Sequence, residues 1–426
     1  MTLARIATCR SCGSDRLTTF LDLGLQPIAN ALVEPARVGQ PEDRFPLEVA
    51  HCADCALVQV TESLPPEVLF GRDYPYFSSF SPALLKHSRD HALALMAERT
   101  LGPDSLVIEV ASNDGYLLKN FAAEGVPVLG IDPAKGPAEA ALASGIETLN
   151  TFFDKALAQR LAGQGRKADV ILANNVAAHV DDINGFVAGF APLLKRDGIV
   201  EIEVAYLLDL VEGCAFDTIY HEHVFYHSLT ALEPLFLRHG LRMNDVERLD
   251  IHGGSIRVRF SHHAGKSDRL RALLAEEDRL GMADLGFYAD FATRVEVVGH
   301  ALRALVGRLR GEGARIAAYG AAAKGATLLN YAGLTDMELA YVVDRNTHKV
   351  GKYMPGTGLE IRPVEALRDD RPDYLLLLAW NFGREIMRQN QDFAQAGGRF
   401  ILPVPEPRIV DAPEEVRGAK IGTVAA

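Results

Sequence analysis

Basic charge is in deficit in this chain. Lys and Arg number 44 against 56 Asp and Glu, a net charge of −12. A protein that holds nucleic acid by neutralising phosphates needs the opposite balance, so that class is excluded. The first 60 residues hold no lysine, five arginines and seven acids, so no basic ribbon hides at that end. Long apolar runs are also missing. The longest, Tyr374 to Trp380, falls far short of the ~20 residues that cross a bilayer, and no membrane partner is expected. Met1 to Arg10 lacks the apolar stretch of a signal peptide. Neither G-x-G-x-x-G nor H-E-x-x-H occurs, so a full dinucleotide fingerprint and a zincin site are absent. Tryptophan occurs once and cysteine five times.

Four of those cysteines stand as two tight pairs, Cys9-Arg-Ser-Cys12 and Cys52-Ala-Asp-Cys55. Two such knuckles in one short segment supply four thiolates for a closed tetrahedral zinc site. Four sulfurs leave no open position, so the expected role is structural. Unpaired thiols used for metal fit a reducing compartment, and the cytoplasm is the expected location.

The length calls for two or three domains. Residues 1–70 read as a small, irregular, zinc-stapled module. The segment Gly71 to Ser81 is dense in aromatics and hydroxyls, and a helix is predicted over about Pro82–Arg99. From Ser105 a strand–turn–helix rhythm begins. Strands are expected at Leu106–Ala111, Val126–Asp132, Asp169–Asn174 and Gly198–Val204, with a helix over Tyr116–Glu124 between the first two. Thr230 and Glu233 suggest a capping box for the next helix. Residues 266–311 read as charged amphipathic connector helices. A second α/β rhythm then runs from Ala314 to Pro403. The boundaries drawn are 1–70, 71–265 and 266–426.

Open parallel sheets bind ligands beyond the carboxyl ends of their strands. The first strand ends Glu109-Val-Ala-Ser-Asn-Asp-Gly115, and the second ends in Asp132. One glycine, two polar residues and a leading carboxylate suit a ribose with a cationic amino-acid tail better than a diphosphate. S-adenosylmethionine is such a ligand. Glu109 would face its amino-acid end, with Ser112 and Asn113 in the loop and Gly115 allowing close backbone approach. Asp132 would take the ribose hydroxyls. Phe153 could lie on adenine or belong to the core, and Asn174 would line the boundary between donor and acceptor.

Asp217-Thr-Ile-Tyr-His-Glu-His223 gathers imidazoles, a carboxylate and a phenol in one turn. A neutral histidine whose tautomer a partner carboxylate fixes is suited to general-base work. In a helical turn Tyr220 and His223 share a face; in an extended one Tyr220 and Glu222 do. Of the 13 histidines, His87, His91, His262 and His300 are expected to be merely solvated. Gly320-Ala-Ala-Ala-Lys-Gly325 could receive a diphosphate at a helix N-terminus through Lys324, with Lys349 and Lys352 adding charge, or be a packing turn.

Taken in order, these motifs resemble a known family. They include Leu21-Asp-Leu-Gly-Leu-Gln-Pro-Ile-Ala-Asn30, Asp73-Tyr-Pro-Tyr-Phe-Ser-Ser79, Asn174-Asn-Val-Ala-Ala-His179 and Tyr220-His-Glu-His223. The chain resembles the S-adenosylmethionine-dependent C-methyltransferases that act at C-3 of nucleotide-linked 4-keto deoxysugars, along nearly its whole length. The resemblance implies a class I Rossmann-like methyltransferase domain, flanked by a four-cysteine zinc module and a C-terminal open α/β domain that helps hold the sugar nucleotide. It implies that His223 is the base that makes an enolate beside the ketone. Tyr220 and Glu222 would support it, and Tyr76 and His179 would also line the site. Ser79, Lys324 and Lys352 would contact the substrate. A monomer or small homo-oligomer is expected. The competing readings are methyl transfer to oxygen or nitrogen, and a non-catalytic zinc-ribbon interaction protein.

Overall fold

The computed structural model describes residues 4–64, 78–80, 82–251 and 253–410. The N-terminal segment is more regular than its Gly- and Pro-rich sequence suggests. Strands β1 (Leu17–Gln26), β2 (Phe45–Cys52) and β3 (Val58–Val60) form an antiparallel meander. Leu21, Leu23, Leu47, Val49 and Val58 turn inward; two register shifts in β1 mask the alternation. Helix α1 (Pro82–Arg99) follows.

The central domain is built on β4 (Val107–Val110), α2 (Leu118–Ala123), β5 (Val128–Ile131), α3 (Lys135–Ala143), β6 (Thr148–Leu149) and α4 (Lys155–Gly163). It continues through β7 (Ala168–Asn174), α5 (Ile183–Leu193), β8 (Leu194–Ala205), β9 (Phe225–Tyr226), α6 (Leu229–Arg238), β10 (Arg242–Leu249) and β11 (Ser255–Ser261). The sheet order is β6-β5-β4-β7-β8-β11-β10. The first five strands are parallel, and β11 runs antiparallel between β8 and β10. All four residues of β4 are buried, as expected of a parallel strand covered on both faces.

Strand β9 leaves this sheet. It pairs antiparallel with β3, Phe225 opposite Gln59 and Tyr226 opposite Val58, and so completes the zinc module's sheet. Helices α7 (Asp268–Leu280) and α8 (Phe291–Gly311) connect to the last domain. There β12 (Ile316–Tyr319), α9 (Ala323–Ala332), β13 (Val342–Asp344), β14 (Ile361–Pro363), β15 (Tyr374–Leu377), β16 (Arg399–Leu402) and β17 (Arg408–Val410) build a second open sheet, ordered β14-β13-β12-β15-β16-β17. No helix among the described residues is long and apolar enough to cross a membrane.

Two local expectations fail for physical reasons. Ser228, not Thr230, caps α6, its side chain accepting from the Ala231 N–H. Thr230 already lies in the first turn. Glu277 of α7 receives its N–H, its hydroxyl and the Leu229 N–H, while Glu233 pairs with Lys266. His87 and His91, four apart on α1, are not solvated. They meet Glu203 and Glu201 of β8 at 2.9 and 2.8 Å, and Arg257 and Arg259 of β11 stand opposite those acids in the sheet. These ionic contacts lie beside the apolar packing of Leu84, Leu95 and Met96 of α1 against Val107, Val170 and Leu172 of the sheet.

Candidate active site

The loop after β4 is held in an uncommon conformation. Ala111, Asn113 and Gly115 all have positive φ, at 58°, 49° and 78°. Such angles cost about 1–2 kcal/mol for a residue with a Cβ, so surrounding bonds must impose them. Asp132, at the end of β5, supplies some. One carboxylate oxygen accepts the Asn113 N–H and the other the Ala134 N–H, each at 2.8 Å. The Asn113 side chain accepts the Ser78 N–H at 2.9 Å, and that of Asp114 the Ser79 N–H at 3.2 Å. Ser78 and Ser79 are therefore docked on this loop. Gly130 of β5 makes the approach possible, because a Cβ there would lie 2.5 Å from Ser112 Oγ.

Glu109 is buried, and neither of its carboxylate oxygens has a hydrogen-bond partner among the described residues. Burial, with Asp132 and Asp114 nearby, raises its pKa well above the usual range. An orphaned buried carboxylate is rare without a ligand to satisfy it, and the amino group of S-adenosylmethionine is a donor of the required kind. Ser112 Oγ and Asn174 Oδ1 are buried and unpartnered as well. The residues present fit that group. Phe153 packs against Phe186 and Phe190 of α5, whereas Phe152 beside it is exposed.

On the adjacent strand β7, the exit loop 174–179 meets the turn 217–224. His223 donates from Nδ1 to the Thr218 carbonyl at 2.8 Å, which leaves Nε2 as the nitrogen carrying the lone pair. The Tyr220 hydroxyl donates to that Nε2 at 2.7 Å. The sharing is thus i, i+3, as in a helical turn, and the His223 N–H closes it on the Tyr220 carbonyl. His179 donates from Nδ1 to the Glu222 carbonyl at 2.7 Å, and its ring meets that of His223 edge-on at 4.7 Å. Burial pushes the His179 pKa down to about 4.

The Glu222 side chain turns away from His223. It accepts the backbone and side-chain N–H groups of Asn30, and burial lifts its pKa to about 7. His221 reaches the Pro46 carbonyl of β2, and the Tyr226 hydroxyl donates to the His223 carbonyl. Tyr76 lies outside the described residues. Lys324 donates to Asn381 at 2.9 Å beside Trp380, Lys349 to the Ala321 carbonyl, and Lys352 pairs with Glu34. The structure thus brings Tyr220, His223, His179 and Glu222 together, and separately Glu109, Ser112, Asn113, Gly115 and Asp132. Asn30 and the Thr218 carbonyl escape sequence reasoning. Asn30 ends a motif whose individual roles the sequence leaves open, and a carbonyl leaves no trace in residue type.

The four cysteines converge as expected. Their sulfurs lie within 4.8 Å of one another, with Cys9–Cys55 at 3.6 Å and Cys12–Cys52 at 3.5 Å. Tetrahedral zinc with bonds of about 2.3 Å separates sulfurs by about 3.8 Å, so the quartet fits that ion. Gln59 donates to Cys9 Sγ at 3.1 Å.

The strand order and the strained loop with its buried acids define an S-adenosylmethionine-dependent class I methyltransferase. Family models match over the whole architecture: a zinc binding domain at residues 9–70, a methyltransferase domain at 84–246, and a C-methyltransferase C-terminal domain at 250–405. The C-methyltransferase NovU of Streptomyces niveus is 38% identical over 412 residues, covering 96% of this chain and 97% of that one. The chain belongs to this C-methyltransferase family. A ubiquinone biosynthesis O-methyltransferase of Bartonella quintana is 32% identical over 95 residues, covering 22% of this chain and 38% of its own. Among solved structures, the magnesium protoporphyrin IX methyltransferase of Synechocystis with bound SAH matches with a TM-score of 0.33 at 15% identity, covering 42% of this chain and 83% of that one.

Proposed function

We propose that this C-methyltransferase methylates a nucleotide-linked 4-keto deoxysugar at the carbon beside the ketone, C-3. The observation that carries the reading is the Tyr220–His223 pair. His223 is neutral on Nε2, and its tautomer is fixed by the Thr218 carbonyl. A ketone acidifies the neighbouring C–H, and His223 Nε2 is the base that takes that proton. The same lone pair cannot also accept from Tyr220. As Nε2 gains the substrate proton, the Tyr220 hydroxyl is released and can donate to the oxygen where enolate charge develops. His179, neutral and held by the Glu222 carbonyl, forms the adjoining wall.

S-adenosylmethionine, when bound, supplies an electrophilic methyl group on a positively charged sulfur. Glu109 receives its amino group, Asp132 its ribose hydroxyls, and Ser112, Asn113, Gly115 and Asn174 the rest of its contact surface; in this reading either Phe153 or the exposed Phe152 contacts adenine. Tyr76 and Ser79 line the acceptor side. Lys324 and Lys352 face the diphosphate, Lys324 in the first turn of α9, which follows β12 where the strand order of the second sheet reverses.

The test is incubation with methyl-labelled S-adenosylmethionine and a panel of nucleotide 4-keto sugars, followed by NMR of the product. Without methyl donor, deuterium should exchange into the position next to the ketone, which transfer to oxygen would not require. His223→Asn should abolish both exchange and turnover, lowering kcat by about 10²–10⁴, at unchanged S-adenosylmethionine affinity. Full activity in that variant would sink the assignment.

A further inference from the structure

The turn that carries the base is gripped from the C-terminal domain. Asp217 is fully buried at its start, in a short helical turn over Phe216–Thr218. Its carboxylate accepts the indole N–H of Trp380 at 2.6 Å, across 163 residues of sequence. Trp380 is the only tryptophan in the chain and opens the short helical turn Trp380–Phe382 that follows β15 after Leu378 and Ala379. The ring is held from two sides. The Lys324 ammonium lies 4.6 Å from its centroid, and a Cβ on Gly253 would come within 3.1 Å of it. The direction of the N–H is therefore set by packing rather than by the Asp217 bond alone. Beyond Thr218, the Ile219 carbonyl accepts from Thr327 of α9. Between those two anchors lies Thr218, whose carbonyl decides which nitrogen of His223 carries the proton.

We propose that Trp380 is a positioning residue: through Asp217 it fixes the Thr218 carbonyl, and thereby the Nδ1–H tautomer that keeps the His223 lone pair on Nε2. This rests on the reading of His223 as the base, but its first test does not need turnover. The charge environment fits the assignment. Burial lifts the Asp217 pKa to about 6, and the nearby Lys324 and the indole N–H work against that rise. A carboxylate so placed needs its donors to stay in register.

The experiment uses the full chain labelled with ¹⁵N-histidine, and His223→Asn assigns the signal. The wild type should show His223 with the proton on Nδ1. Trp380→Phe keeps the ring and removes the N–H; it should give a mixture with the Nε2–H form. With a nucleoside-diphosphate 4-keto deoxysugar as substrate, kcat should fall roughly 10- to 100-fold, the effect of losing one hydrogen bond to a charged group. The affinity for S-adenosylmethionine should not change. Asp217→Asn keeps an acceptor for the indole and should retain the tautomer, whereas Asp217→Ala should lose it. That contrast decides the matter if Trp380→Phe does not fold. An unchanged tautomer in Trp380→Phe and in Asp217→Ala, with kcat within twofold of wild type, overturns the proposal. If His223→Asn is inactive while Trp380→Phe is normal, the base stands and the positioning role falls. If His223→Asn is fully active, the base assignment itself is wrong.

Discussion

Glu222 makes two long-range connections through different atoms. Its carbonyl orients His179, and its carboxylate is spent on Asn30 of the zinc module. Burial lifts its pKa from the ordinary 4.5 to about 7. The folded protein therefore holds this proton more tightly than the unfolded chain does. The group's contribution is complete below about pH 4.5 and is lost as pH rises towards 7. Glu222→Gln cannot ionise and keeps an acceptor for Asn30. Its stability should decline less across that window, by up to about 3 kcal/mol. Urea midpoints measured at half-unit steps of pH would show it, and a slope equal to that of the wild type would refute it. Glu109 behaves in the same sense, its pKa being raised by burial. A bound ammonium would reverse that shift, so S-adenosylmethionine should bind more weakly as pH falls and Glu109 takes up its proton. Calorimetric titration in buffers of different ionisation enthalpy should detect proton release on binding, and the absence of release would argue against Glu109 as the partner.

At the scale of elements, helix α6 depends on a residue far from it in sequence. Glu277 of α7 accepts two backbone N–H groups at its first turn, together with the Thr230 and Tyr206 hydroxyls. Glu277→Ala leaves these donors buried without a partner, and a loss of about 3 kcal/mol or more is expected. Ser228→Ala should cost nearer about 1 kcal/mol. Equal losses in chemical unfolding would show that the long-range cap is idle. The strands and most helices are legible because an apolar run flanked by turn residues is a local signal. The expected helix over Pro82–Arg99 matches α1 residue for residue. The roles of His87 and His91 are not legible, because their partners lie over 100 residues away on β8.

At the scale of the whole molecule, the zinc module is fastened to the catalytic domain at several points. Asn184 of α5 donates to the Arg10 and Ser11 carbonyls within the first knuckle, and Arg238 of α6 also donates to Ser11. Strand β9, directly after the turn 217–224, pairs with β3. A metal held by the quartet would therefore stabilise more than its own module. Cys52→Ser, or removal of zinc by a chelator, should lower the unfolding midpoint by roughly 5–10 °C, with activity falling in parallel. A chelated protein that melts like the wild type would show the quartet to be dispensable.

The sequence by itself determined the cysteine quartet, the alternation of strands and helices, the acids at the ends of β4 and β5, and the unusual Tyr-His-Glu-His turn. Each of these is written in neighbouring residues, where spacing and side-chain chemistry act directly. Only the tertiary structure decided that Tyr220 pairs with His223 and not with Glu222, that Glu222 belongs to Asn30, and that Trp380 reaches Asp217. Those pairings join groups that the chain keeps far apart, or choose between two that it keeps close. A hydrogen bond forms only where packing brings donor and acceptor within about 3 Å in the right direction, and that arrangement is a property of three domains folded against one turn.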